Sequence, residues 1–334
     1  MATMAMTTRG RETVGEDIRT GAEDILRMIA ERTAAQMSAE NFPVALRLLP
    51  RNPRDALARV YGFARFVDDV GDEAPGTPDE RLALLEIVAA EIHRQWSGAS
   101  SSLRPVHELK PLIRSVAMPA QPFLDLVEAN RMDQHVAQYE TFGDLIGYCA
   151  LSANPVGRVV LRIADADDDA NMAASDSVCT ALQVLEHCQD VGEDARNGRV
   201  YLPQEDLAAA GVPVSDLTAA TTTPALRRVI AMQIDRSEKL LAAGPGLVRR
   251  LRGWARVAVA GYVAGGEATI AALRTANFDV LPRTVRPSKL RMTTQAVRLL
   301  APAAMTARAK SRGVRAPGAR SDSTTRPSGG EENR

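Results

Sequence analysis

Residues 54–73 read RDALARVYGFARFVDDVGDE, and the register of this stretch decides the fold class. Leu57, Val60, Tyr61 and Ala64 recur at i, i+3, i+4 and i+7, the apolar stripe of an amphipathic α-helix. Carried forward, the stripe meets Arg65, Asp68 and Asp72, with Asp69 beside them. The carboxylates are therefore expected on the core-facing side of the helix. Burying unpaired carboxylates is costly, so this arrangement predicts a polar cavity or a cation.

A second acidic stretch lies far along the chain, where residues 186–203 read EHCQDVGEDARNGRVYLP. Glu186, Asp190 and Asp194 fall at i, i+4 and i+8, one line on one helix face, with Glu193 adjacent. Like charges at this spacing each cost a few tenths of a kcal/mol, so the row needs compensation. A divalent metal supplies it. Oxygen donors without His or Cys suit Mg²⁺, which keeps several waters and is commonly shared with substrate phosphates. Two facing clusters of this kind, with Arg65 and Arg199 reaching the oxygens, would cradle a diphosphate and assist C–O ionisation. The bland reading is two solvated acidic faces. Their pairing, with one of them continuing an apolar stripe, argues against it.

Outward from these stretches the pattern is helical throughout, with abundant Ala and Leu and few alternating runs. Asn52-Pro53 reads as a cap and first-turn proline, Thr77-Pro78-x-Glu80 as a capping box, and Ser288 as the cap of a last helix through Leu300. With 334 residues, 45% apolar and 25% charged, the chain suffices for one large domain, and no solenoid repeat is visible. The expected division is a disordered N-terminus over 1–20, an all-α domain over 21–302, and a basic disordered tail over 303–334.

Three cysteines without CxxC spacing exclude a disulfide scaffold and fit a reducing compartment. The start of the chain carries Arg9, Arg11, Glu12, Glu16 and Asp17 rather than a signal-type apolar run, and Val257–Gly266 is too short to span a bilayer. A cytoplasmic protein is expected. Formal net charge is zero, so no whole-molecule field draws it to nucleic acid. The distribution is uneven all the same: from Val280 to Ser321 there are ten Lys/Arg and no Asp or Glu.

In these residues the chain resembles the squalene/phytoene synthase family. YGFARFVDDVGDE (Tyr61–Glu73) is similar to that family's first aspartate-rich motif, and DVGEDARNGRVYLP (Asp190–Pro203) to its second, with the Gly-Arg-x-Tyr-Leu-Pro loop that follows. YCALSANPVG (Tyr148–Gly157) resembles its central helix, and the likeness runs from Asn41-Phe42-Pro43 to about Leu281. The resemblance implies the class I isoprenoid synthase fold, all-α around a central cavity, using Mg²⁺ to ionise prenyl diphosphates. By position, Asp68, Asp69, Asp72, Asp190 and Asp194 would hold Mg²⁺, joined by Glu186 and Glu193. Tyr61, Arg65, Gln189, Arg199 and Tyr201 would contact the substrate. Tyr148 would lie near the developing carbocation, where an aromatic face stabilises positive charge.

Phytoene synthases and enzymes making presqualene diphosphate usually read Val-Ala-Gly where this chain has Ser152-Ala153-Asn154. They also usually carry Asn and then Arg-Asp where it has Glu186 and then Gln189-Asp190. The SANPVG and QDV readings resemble the hopanoid-pathway branch, which implies presqualene diphosphate converted to hydroxysqualene with water as the final nucleophile. The rival readings are head-to-head condensation of farnesyl diphosphate to presqualene diphosphate or squalene, or of geranylgeranyl diphosphate to phytoene, and a non-catalytic helical scaffold.

Other features carry less. Asp165–Ala170 (DADDDA) lacks EF-hand spacing and reads as a solvated loop, and the four histidines are scattered, His187 reading as a packed or surface residue. In the basic segment 283–312, Leu290, Met292, Val297, Leu299 and Leu300 interleave with Lys/Arg. That pattern suits solvated charge, or peripheral contact at the inner face of the membrane, where neighbouring pathway enzymes could hand over a lipid-soluble substrate.

Overall fold

The computed structural model describes residues 21–37 and 49–301. The two expected disordered ends, 1–20 and 303–334, and the Asn41-Phe42-Pro43 segment lie outside the described residues. No β-strand occurs among those described, where Gln138 and Val200 form an isolated parallel bridge.

The helices of ten or more residues are α1 (21–37), α2 (Arg51–Glu73), α3 (Pro78–Trp96), α4 (Gln121–Met132) and α5 (Phe142–Ser152). They continue as α6 (Asn154–Ile163), α7 (Asp169–Gln189), α8 (Pro224–Leu241), α9 (Gly253–Thr275) and α10 (Lys289–Leu300). Caps explain several boundaries. Thr77 opens α3 with the expected capping box, its Oγ1 accepting from Glu80 N at 3.3 Å while Glu80 accepts from Thr77 N at 2.7 Å. Asp168, from the acidic DADDDA run, opens α7 by accepting from Asn171 N. Asn52 does not cap α2. The helix starts two residues earlier, at Arg51 behind extended Pro50, so Asn52 and Pro53 both sit in the first turn, where proline's missing N–H is harmless.

Two apolar cores organise the helices. The first joins α1 to α4: α2, α3 and α4 pack mutually, with Phe63 edge-on to Phe123 at 5.2 Å and Trp96 against the same ring. The second surrounds α7, which packs on α5, α6, α8 and α9, while α10 lies along α9. Between α5 and α6 the chain breaks at Ala153, because Pro155 cannot donate to the preceding turn. Thr180 of α7 fixes that break by donating to Asn154 Oδ1 at 3.0 Å, both side chains buried.

The apolar face of α2 is rotated from the expected one. Val60, Phe63, Phe66, Val67 and Val70 are buried, whereas Tyr61 is 36% exposed. Asp69 alone among the helix's aspartates shares the buried face. Asp68 and Asp72, about 40° apart on one flank of that face, reach solvent.

Candidate active site

The two acidic segments meet across one cavity of about 300 Å³. Asp68 and Asp72 enter it from α2, and Glu186, His187, Asp190 and Asp194 from α7 and the short helix Val191–Arg196 beyond it. Asn130 and Asp133 come from the end of α4, Tyr148 and Ser152 from α5, and Arg199 and Tyr201 from the following loop. The expected single line of Glu186, Asp190 and Asp194 is corrected: α7 ends at Gln189, and Asp190 is the non-helical junction before the next helix. The three still face one cavity because the chain resumes its helix within one residue.

A direct ion pair ties the two segments together, Arg199 Nη2 lying 2.7 Å from Asp72 Oδ1. Burial opposes the guanidinium charge, yet the bond to Asp72 and the fields of Asp72 and Asp133 more than offset it, leaving its pKa raised. Asp68 accepts from Asn130 Nδ2 at 3.1 Å. Solvent reaches it through the cavity, but desolvation by the surrounding protein pushes its carboxyl up to about 6, with help from Asp72. Asp190 is raised as well, by burial first and then by Asp194, Glu186 and Glu193.

The opposite wall is aromatic. The rings of Tyr139, Tyr148 and Tyr201 lie 5.4 to 5.8 Å apart, and His187 stacks on Tyr201 at 3.7 Å. Beneath them Asp133 accepts from Tyr148 OH at 2.9 Å and from Tyr201 OH at 3.3 Å. Burial raises both phenols, so they stay neutral donors, and burial likewise raises Asp133. His187 Nδ1 stands 3.7 Å from Asp194 Oδ2, and its Nε2 is 3.2 Å from Gln183 Nε2.

Several expected site residues stand elsewhere. Asp69 does not line the cavity: it is 2% exposed and takes Arg65 Nε at 3.1 Å and Thr33 Oγ1 at 2.5 Å. A 100° turn per residue swings it away from Asp68 and toward α1, and that pairing also occupies Arg65. Glu193 and Tyr61 are exposed and not among the lining residues. Gln189 donates to the Val285 carbonyl and lines an adjoining hollow of about 370 Å³, whose walls include Leu182, Leu185, Gly261, Gly265 and Met292. Glu186 and Asp190 stand on the boundary between the two spaces. Asp133, Asn130 and His187 carry no motif in the sequence. They become visible only when α4 and α7 are brought together.

Carboxylates from two walls and no thiol or imidazole ligand set make a donor set suited to Mg²⁺ rather than to zinc. Among the described residues no three His, Cys, Asp or Glu converge tightly enough to hold one ion unaided. A fit therefore requires waters and substrate oxygens to complete the coordination, as Mg²⁺ commonly does.

Residues 35–291 match the family model for squalene/phytoene synthase. Hydroxysqualene synthase of Sinorhizobium fredii is 34% identical over 66% of this chain and 74% of its own. Presqualene diphosphate synthase of Rhodopseudomonas palustris is 30% identical over 63% and 75% respectively. The crystal structure of squalene synthase HpnC from Alicyclobacillus acidocaldarius superposes with a TM-score of 0.68 at 37% identity, covering 76% of this chain and 95% of that one. The architecture is thus the all-α isoprenoid synthase fold.

Proposed function

The chain belongs to the squalene/phytoene synthase family of enzymes, and on that premise we propose that it ionises presqualene diphosphate and quenches the rearranged cation with water, giving hydroxysqualene and diphosphate. The observation that carries this reading is the meeting of both acidic segments at one cavity, clamped by Arg199 and Asp72 and backed by a neutral aromatic wall. Asp68 and Asp72 on one side, and Glu186, Asp190 and Asp194 on the other, would hold Mg²⁺. When bound, the metal neutralises charge on the departing diphosphate.

The remaining work belongs to the chain. Arg199 exchanges Asp72 for substrate oxygens and steadies the leaving group. Tyr148 turns its ring toward the cation while its hydroxyl stays anchored on Asp133. The hydrocarbon arms extend past Glu186 and Asp190 into the adjoining hollow, away from bulk water. In the same reading the basic segment beginning at Arg283 rests on an anionic lipid surface, where a neighbouring enzyme delivers the substrate.

Purified protein with Mg²⁺ and presqualene diphosphate, without reductant, should yield hydroxysqualene by mass spectrometry, and EDTA should abolish it. Presqualene diphosphate accumulating from farnesyl diphosphate, with no turnover of presqualene diphosphate itself, would instead assign the other branch.

A further inference from the structure

The quench demands a water held in a cavity that otherwise protects a cation. Most polar groups lining this cavity are committed: Asp72 to Arg199, Asp68 to Asn130, and Tyr148 and Tyr201 to Asp133. Ser152 differs. Its Oγ is buried and has no hydrogen-bond partner among the described residues, and it lines this cavity. An orphaned buried hydroxyl costs about 1–3 kcal/mol, so a retained one implies a partner that arrives with water or substrate.

The placement is specific. Ser152 ends α5 one helical turn beyond Tyr148, so both project from one face of that helix. The chain then breaks at Ala153 and Pro155, and the break is pinned to α7 through Asn154 and Thr180. One turn on from Thr180, Gln183 lines the same cavity, its Nε2 3.2 Å from His187 Nε2. That contact, with His187 Nδ1 standing 3.7 Å from Asp194 Oδ2, fixes the orientation of the Gln183 amide.

We infer that Ser152 and Gln183 seat the nucleophilic water, with His187 as the positioning residue that orients Gln183, and that this seat decides between alcohol and hydrocarbon. The inference rests on the function proposed above. In the step itself, the carbon–oxygen bond to diphosphate breaks with its electron pair leaving on diphosphate. The rearranged cation then takes a lone pair from the seated water, forming the new C–O bond. The surplus proton of that oxonium passes to the released diphosphate in the same cavity.

The test is product partition in H₂¹⁸O with presqualene diphosphate and Mg²⁺, reading diphosphate release and organic products together. The wild type should give ¹⁸O-labelled alcohol. Ser152→Val should lower the alcohol fraction at least about tenfold, the scale of one lost hydrogen bond, with polyene hydrocarbon from proton loss taking its place. Ser152→Thr, which keeps the hydroxyl, should restore the alcohol, and His187→Phe, which keeps the stack on Tyr201, should lower its fraction. An unchanged alcohol fraction in Ser152→Val overturns the water seat. So does a parallel fall in release and alcohol with the fraction constant, which would make Ser152 a residue of ionisation or folding. A wild type that releases no diphosphate from this substrate fails differently, because it removes the underlying reading as well.

Discussion

Asp68 binds its proton near pH 6 in the folded chain, against an ordinary 3.8, chiefly because burial disfavours the charged form. Between those values the native state holds more proton than the unfolded state, so stability falls as pH rises. The favourable contribution is fully present below about pH 4 and is lost on passing 6. Asp68→Asn keeps the bond from Asn130 but cannot ionise. In EDTA at pH 8 its Tm should exceed that of the wild type, while at pH 4 the two should melt together. Added Mg²⁺ should raise the wild-type Tm and narrow the gap. A wild type more stable than the variant at pH 8 without metal would refute the account. The same residue shows how far sequence reaches. The i, i+4 spacing of Asp68 and Asp72 is legible as one face. The divergence of adjacent Asp69 follows from the helical turn, but its destination, Thr33 of α1, lies 36 residues away and leaves no local signal. Asp133 and Asn130 are hidden for the same reason, since their roles arise from helices packed across long sequence gaps.

At the scale of an element, α2 carries two glycines whose replacement should have opposite effects. A Cβ at Gly71 would stand 2.4 Å from Asn130 Oδ1 and 3.3 Å from its Cβ, because the Asn130 side chain of α4 lies directly over that position of α2. A Cβ at Gly62 would make an ordinary 3.5 Å contact with the flexible end of Met37. Replacing helical Gly by Ala gains about 1 kcal/mol of propensity, and overpacking costs about 1–3. Gly62→Ala should therefore stabilise by up to about 1 kcal/mol, and Gly71→Ala should destabilise by up to about 2, read as shifts in the urea midpoint. Gly71→Ala should also lower turnover, since Asn130 cannot move without loosening Asp68. Equal midpoints for the two variants would mean that α4 yields to the extra methyl. Helices of this kind were readable from punctuation: the Thr77 capping box and the stop of α2 before it fall where the residues indicate. The start of α2 was not, because Pro50 accepts the first helical hydrogen bond, from Arg54 N, in the place the sequence pattern gives to Asn52. The buried stripe of α2 was misjudged too. Phe63, Phe66 and Val67 compete with Leu57 and Tyr61 for the inner face, and only the partners supplied by α3 and α4 decide.

The whole molecule pairs an acidic body with a basic strip, and the structure gives that strip a surface. Arg283, Arg286, Lys289 and Arg291 are exposed along the loop before α10 and its first turn, with no acidic residue among them. On the helix itself Leu290 and Val297 are 75% and 62% exposed, seven residues apart and so on one face. No described helix is long and apolar enough to cross a membrane. On the membrane contact proposed above, these apolar side chains and cations would meet an anionic bilayer surface, each cation contributing about 1 kcal/mol within a Debye length of roughly 8 Å. The adjoining hollow is bounded by Thr284, Arg286 and Met292 of this same segment. A bilayer held there would lie beside the space assigned to the hydrocarbon arms, so one surface would serve both attachment and substrate entry. Flotation with anionic vesicles should recover the full-length protein at low salt and lose it at high salt, and zwitterionic vesicles should recover little. Reversing Arg283, Arg286 and Arg291 to Glu should weaken recovery by at least about tenfold. Leu290→Ser should weaken it without changing the salt dependence, because the apolar contribution is not screened. Turnover of substrate presented in vesicles should fall with recovery in the triple variant, while turnover in detergent should hold. Recovery that ignores both salt and the three reversals would leave the strip as ordinary solvated charge.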